Sequence, residues 1–403
     1  MTGPAGLDGV LGEWTSPSRE TRATLWVIVA AGTVTVMAGA ILGPVVNQIQ
    51  AGLDVSQSRA GLIITTHSLF IVVTSPVAGV LVDRIGPRKP FVGGLLLYAA
   101  AGGAGLVVES FPALLATRVG LGVAVAFVYT GTTVLIYRLY EGRRKDRAMG
   151  LRGSANSFGA AVWPLVGGAL GTLSWHAPFG VYLIGLPLGL LAAIFVPEPA
   201  VDAAERETDS SLLALVEVVR STPFLLLVYG LYFVANVLVY TVVVFYPAVL
   251  ATIGIESSFT VGLYLAAQGT AGAVSAYFYD RFRRWASYAR LVQLALVLWT
   301  VGFGLVLVSA SPTIAFAPVV LFGLGLGLVF PTALLWVEEL VPTARQGQFS
   351  SYVAMAGYVG QFLAPILFGP VAAVVGAVGV FVTAAAVVAA ALVGTVLRRA
   401  AGG

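Results

Sequence analysis

Apolar residues in this chain come in long blocks, and the polar ones collect in short breaks between them. A hydrocarbon layer about 30 Å thick is crossed by about 20 apolar residues of helix. Blocks of that length recur twelve times. In the first half they cover roughly 24–46, 58–82, 90–108, 112–138, 148–172 and 177–197. In the second they cover roughly 223–252, 258–280, 286–309, 312–337, 347–373 and 376–397. Between the halves lies the longest polar stretch, 198–222, with Asp202, Glu205, Arg206, Glu207 and Asp209 near its start. Its second part sets Leu212, Leu213, Val216 and Val219 at helical spacing opposite Glu217 and Arg220. That pattern predicts an acidic linker followed by a short amphipathic helix on the membrane surface, with an ordinary linker as the alternative. The predicted fold is an all-α membrane protein of twelve transmembrane helices in two pseudo-symmetric six-helix bundles, 1–197 and 223–403, joined by that cytoplasmic linker.

Composition agrees. Of 403 residues, 58% are apolar and 10% charged, with a mean hydropathy of +0.94; a soluble domain carries about 25% charged residues. The chain has no cysteine, which excludes disulfides, thiolate metal sites and cysteine nucleophiles. Its two histidines, His67 and His176, are far apart, and no acids cluster inside a span. An enzyme working at membrane depth needs a nucleophile–base pair or a metal cluster, so none is expected, and no cofactor. No phosphate-cradling loop is present, which argues against ATP-driven transport.

Charge then fixes the expected orientation. With both termini cytoplasmic, twenty of the 22 Lys and Arg fall on the inner side. Arg143, Arg144, Lys145, Arg147 and Arg152 are among them, only Arg59 is outside, and Arg118 lies within a span. This positive-inside bias predicts an even number of spans in the cell membrane. Basic residues confined to loops are topology signals, so no nucleic-acid partner is expected. The polar first twenty-odd residues lead into no short apolar core with a cleavage site, so a cleaved signal peptide is not expected either.

The halves echo each other. Asp83-Arg84 returns as Asp280-Arg281, 197 residues later. Gly120-Leu-Gly-Val-Ala-Val-Ala-Phe127 in the fourth span returns as Gly323-Leu-Gly-Leu-Gly-Leu-Val-Phe330 in the tenth, and Gly159…Pro164 in the fifth as Gly360…Pro365 in the eleventh. Three matches in the same order indicate a duplicated six-span unit.

One loop carries a recognisable pattern. After the second span the chain reads Gly79-Val-Leu-Val-Asp83-Arg84-Ile-Gly86-Pro87-Arg88-Lys89. Gly79 suits a close backbone approach, Asp83 a helix end, and Gly86-Pro87 a tight turn. The spacing G-x-x-x-D-R-x-G-x-R-K resembles the loop signature between the second and third helices of the major facilitator superfamily. Arg118-Val-Gly-Leu-Gly122 resembles that family's fourth-helix motif, an Arg followed by Gly, which the resemblance links to proton coupling. Gly159-Ala-Ala-Val-Trp163-Pro164-Leu-Val-Gly167-Gly168 resembles its fifth-helix motif, associated with exporters working by antiport, although Trp163 stands where the motif has glycine. The resemblance implies gating by Gly79, Asp83, Arg84, Gly86 and Arg88, a loop that latches the cytoplasmic ends of the bundles. It implies a mechanical role for Gly159, Pro164, Gly167 and Gly168, and it points to the twelve-helix drug:proton antiporter branch.

Polar residues inside spans complete the expectations, because an ionisable group in hydrocarbon is costly unless it is paired or used. Arg118, Gly122, Val125, Tyr129 and Thr133 share one helical face, expected to look into a central cavity. His67, with an ordinary pKa near 6.5, is a candidate to carry a transported proton, together with Arg118 and Asp83. In the seventh span Tyr229, Phe233, Asn236 and Tyr240 form one stripe suited to a large, mostly apolar ligand, with Gln268, Trp336, Tyr358 and Gln361 of the same kind. Tyr246 is expected in the interfacial belt. The expectation is a monomeric secondary transporter in the lipid bilayer, taking a small-molecule substrate and protons. Its leading function is proton-coupled export of amphipathic, drug-like compounds. The alternative is uptake or exchange of a small anion read by Arg118.

Overall fold

A computed structural model describes residues 19–199, 220, 222–342 and 345–401. The amphipathic helix expected over Leu212–Val219 lies outside the described residues. Among the described residues all regular structure is helical, as hydrocarbon demands: with no water to bond, each backbone N–H and C=O must find its partner within the segment.

The helices are α1 (Arg19–Ala40), α2 (Val46–Gly52), α3 (Gln57–Ile85), α4 (Arg88–Gly103), α5 (Phe111–Leu139), α6 (Gly142–Gly171), α7 (Gly185–Phe195), α8 (Phe224–Thr252), α9 (Ser258–Tyr277), α10 (Tyr279–Trp285), α11 (Tyr288–Gly304), α12 (Pro312–Leu340) and α13 (Gln346–Ala401). They make twelve spans. α1 and α2, joined through a 3-10 turn at Gly43–Val45, form the first, and the 3-10 segment Ala177–Ile184 runs into α7 to form the sixth. The short α10 bridges the eighth and ninth. α13 supplies the last two, because Gly376 (φ 71°) breaks its helical path. A side chain rarely adopts that φ, so glycine is what lets the chain reverse there.

The ends follow local chemistry. Ser56, Ser287 and Ser311 each accept from the backbone N–H three residues on, capping α3, α11 and α12. α3 stops at Gly86, in the left-handed region with φ 83°, and Pro87 follows. The helix therefore runs past Asp83, which does not close it.

Within the first half α3 packs on α5, α5 on α4, α1 on α6 and α4 on α7. Within the second, α9 packs on α12, α12 on α11, and α8 on α13. Two pairings dominate the junction between the halves: α6 against α9 and α3 against α13. In span numbers these are five with eight and two with eleven, which a six-span duplication interchanges. Close approach is what makes the junction. A Cβ on Gly262 would sit 2.6 Å from the Pro164 carbonyl oxygen, and one on Gly269 would sit 2.7 Å from that of Ala160. In lipid, where burying apolar surface gains little, such small-residue contacts supply the van der Waals attraction between helices.

Two expectations change here. Tyr246 is no belt residue: it is 1% exposed, gives its hydroxyl to the Ala315 carbonyl, and packs edge-on to Phe381. Gly79 makes no close approach, since a Cβ there would meet nothing within 4 Å.

Candidate functional site

The hydrogen bonds described between the halves gather toward one end of the spans. Call the side carrying the arginine-rich loops the basic side, and the other the far side. Near the far side Ser58 donates to the Pro365 carbonyl (2.7 Å) and Ser258 to that of Gly168 (2.9 Å). The two bonds join equivalent helix pairs across the duplication, with acceptors one turn apart. Gln57 adds a bond to the Val244 carbonyl (3.1 Å), and Gly43 lies against Val243 and Leu265. At mid-depth a chain crosses the halves: Ser68 donates to Gln361 Oε1 (2.8 Å), whose Nε2 donates to Asn236 Oδ1 (3.0 Å), whose Nδ2 donates to the Tyr232 carbonyl (2.9 Å). These bonds between the halves lie at this depth or farther from the basic side. Toward the basic side the partly buried Tyr129, Thr133, Tyr232 and Tyr358, drawn from both halves, line the region between them, which we call the cleft.

The cleft wall carries a charge that the sequence reading placed in a loop. Arg152 belongs to α6, ten residues in, and is 7% exposed. Its Nη1 donates to Thr133 Oγ1 (2.9 Å), and its guanidinium lies 4.7 Å from the centre of the Tyr129 ring. Tyr358 of the opposite half is within electrostatic reach of both Arg152 and Tyr129, and Tyr232 within reach of Tyr129. One turn along α6, Asn156 Oδ1 is buried with no hydrogen-bond partner among the described residues. In the sequence Arg152 follows closely on the basic run Arg143-Arg144-Lys145-Asp146-Arg147, so it reads as one more charge of that loop. The available signal was the α6 stripe Arg152, Asn156, Trp163, at i, i+4, i+11.

The stripe expected around Arg118 divides. Tyr129 and Thr133 face the cleft with Arg152, whereas Arg118 is fully enclosed within the first half. Its Nη2 donates to the carbonyls of Ala101 (3.3 Å) and Gly102 (3.2 Å) and to Thr117 Oγ1 (3.1 Å). The faces of Phe179 and Tyr182 lie 5.0 and 5.2 Å from the guanidinium carbon. Carbonyl dipoles and ring faces thus hold the cation where no carboxylate does. His67, 2% exposed, is within electrostatic reach of Arg118, and its Nδ1 has no partner among the described residues. Gly122 packs on the His67 carbonyl. From the other half the Tyr240 hydroxyl reaches the Gly39 α-carbon, beside His67 Cε1. Asn236 and Tyr240 are thus brought to the junction. Tyr229 instead donates to the Phe349 carbonyl (3.2 Å) inside its own half, and Phe233 backs onto Gly360. Gln268 is buried, its backbone carbonyl against Gly323 and its Oε1 unpartnered among the described residues.

The signature loop is tied to its own half. Asp83 lies 3.7 Å from Arg138, Arg88 N–H donates to Glu198 Oε1 (3.3 Å), and the Arg88 guanidinium bonds the Ala193 carbonyl. Arg84 is exposed. In the second half an ion pair likewise joins the segment after the eighth span to the end of the tenth: Arg283 lies 3.9 Å from Glu339. In α6, Gly167 packs on the Ile41 carbonyl and Gly168 on that of Ser258, on either side of the fold's central seam. Trp163 covers Gly159 and donates to the Thr33 carbonyl (3.1 Å), so the residue replacing the motif's glycine fills a gap beside the first span.

The profile of the Major Facilitator Superfamily matches residues 28–365 and, again, 229–401. This chain belongs to the major facilitator superfamily. It is a multi-pass membrane transporter and not an enzyme. Multidrug resistance protein 1 of Bacillus subtilis (strain 168) is 25% identical over 342 residues, covering 81% of this chain and 84% of that protein. The quinolone resistance protein NorA of Staphylococcus aureus (strain MRSA252) is 23% identical over 343 residues, with the same coverage. Among solved superfamily structures, a bacterial homologue of the human lysosomal transporter Spinster, inward-facing and unoccupied, superimposes with a TM-score of 0.76 at 15% identity, covering 89% of this chain and 84% of that one. A D-xylose–proton symporter gives 0.70 at 15% identity, covering 91% and 97%.

Proposed function

We propose that this superfamily member exports amphipathic, drug-like molecules by alternating access, coupled to protons. The observation that carries the reading is the cleft itself: tyrosines of both halves, Tyr129, Tyr232 and Tyr358, face one another around a gap sealed at the far side. Aromatic faces with hydroxyl and amide groups between them suit a ligand that is mostly apolar with a few polar atoms. Relatives named for multidrug and quinolone resistance support the same class of cargo. The arginine-rich side is cytoplasmic by the positive-inside rule, so both termini are inside and the cleft opens inward. Export then requires the far-side seal to break and the basic-side ends to close. The loop bearing Asp83, Arg84 and Arg88 would latch that closed side.

His67 carries the proton in this reading, because it is the one histidine at membrane depth and stands where Tyr240 of the other half reaches the first. The test is export of a fluorescent dye from proteoliposomes under an imposed pH gradient, for wild type and His67→Gln. Wild-type export should stop when the gradient is dissipated, and His67→Gln should lose gradient-driven export while keeping downhill exchange. Unimpaired gradient-driven export by His67→Gln refutes the assignment.

A further inference from the structure

We infer that Arg152, Thr133 and Asn156 form a carboxylate-binding subsite in the cleft, and that the exported molecules are aromatic compounds carrying a carboxylate. This rests on the export reading and narrows its cargo. The cleft's buried charge is the Arg152 guanidinium, and among the described residues no carboxylate lies within 4.0 Å of it. The acids of the described helices sit at their ends: Glu20, Asp83, Asp146, Asp280, Glu338 and Glu339 near the basic side, with Asp54, Glu109 and Glu256 in loops at the far side. Nothing in the interior balances an incoming cation, and Arg152 repels one. A monoanion has the opposite relation, supplying the counter-charge that the site lacks.

The geometry suits a planar anion. Thr133 holds one guanidinium nitrogen, Nη1, at 2.9 Å, which fixes the plane of the fork. Nε and Nη2 have no acceptor among the described residues, and neither is a fully enclosed orphan atom. They are the edge that a carboxylate takes with two parallel hydrogen bonds. The side-chain amide of Asn156, one turn along, has its oxygen buried and unpartnered, and its NH2 group can donate to the second face of the same anion. The Tyr129 ring under the guanidinium and Tyr358 across the gap supply faces for the aromatic body of the ligand. A single positive charge with one hydroxyl and one amide matches a monoanionic carboxylate better than a dianionic phosphate.

The test uses purified full-length protein and three probes: a monoanionic quinolone carboxylate with no basic amine, its neutral methyl ester, and ethidium. Binding is read by tryptophan fluorescence and transport in proteoliposomes. A two-point charge-assisted contact predicts that wild type favours the acid over the ester by about 10- to 100-fold. In Arg152→Gln that ratio should fall to about one, and Arg152→Lys should keep part of it, since lysine keeps the charge but loses the fork. Monodisperse elution of each variant confirms folding. Thr133→Val, which only unfixes the fork, should lower the ratio less than Arg152→Gln does, and no change there or in Arg152→Gln overturns the subsite. If wild type moves the ester and ethidium but not the acid, export stands and this proposal alone falls. If wild type binds none of the three, the export reading falls and takes the subsite with it.

Discussion

Gly262 offers the sharpest test of how the halves are held. It lies one turn beyond Ser258 on α9, with its α-carbon against the Pro164 carbonyl of α6. A Cβ added there would stand 2.6 Å from that oxygen. Ordinary carbon–oxygen contacts fall at about 3.3–3.6 Å, so α6 and α9 must separate by about 0.7–1 Å. The Ser258 bond to Gly168, now 2.9 Å, would stretch to about 3.6 Å or more, beyond hydrogen-bonding range. Losing it costs about 0.5–1.5 kcal/mol, and residual crowding about 1–3 kcal/mol. Both costs fall on the state whose far side is closed. At about 1.4 kcal/mol per decade, Gly262→Ala should raise the far-side-open population by about ten- to a thousandfold. The chain has no cysteine, so a single Leu265→Cys in the far-side seal reports opening without further engineering. Its labelling rate with a membrane-impermeant maleimide from the far side should rise at least about tenfold when Gly262→Ala is added. Gly230→Ala, where a Cβ meets nothing within 4 Å, should leave it unchanged. An equal rate with and without Gly262→Ala refutes the account of the seal.

Three further outcomes follow from the same contacts. Arg118→Lys forfeits the fork to Ala101, Gly102 and Thr117 and the ring contacts, so its melting temperature in detergent should drop by an amount corresponding to about 2–4 kcal/mol; unchanged melting with lost substrate binding would make Arg118 a ligand instead of a brace. Trp163→Phe removes only the bond to the Thr33 carbonyl and should cost about 0.5–1.5 kcal/mol in the same melting assay, whereas Trp163→Gly, restoring the family pattern, should cost more because it empties the space over Gly159. Asp83→Asn removes a long 3.7 Å contact in which Asp83 is largely exposed and Arg138 largely buried, so melting should shift by about 1 kcal/mol equivalent or less; export should nonetheless slow in proteoliposomes if the loop latches the closed state, and an unchanged export rate would reduce the loop to a topology signal.

The sequence by itself determined the number of spans, the side on which positive charge collects, and the duplication. Each follows from a rule that acts on residues independently of their neighbours in space: hydrocarbon needs long apolar helices, loops keep their charges, and a copied segment repeats its glycines and prolines. It also determined which residues share a helical face, since 3.6 residues per turn align Tyr129 with Thr133 whatever surrounds them. What a single helix cannot encode is which way each face points, or where along a basic run the membrane begins. Arg118 and Tyr129 lie on one helix, yet α4 and the segment before α7 close over Arg118 while the cleft opens beside Tyr129. Arg152 reads as one more loop charge until α6 stands upright with Thr133 and Tyr129 facing it. The meeting of Tyr240 with Gly39 and His67, and the Ser68–Gln361–Asn236 chain, join residues of the two halves, and only the docking of one half on the other brings them together.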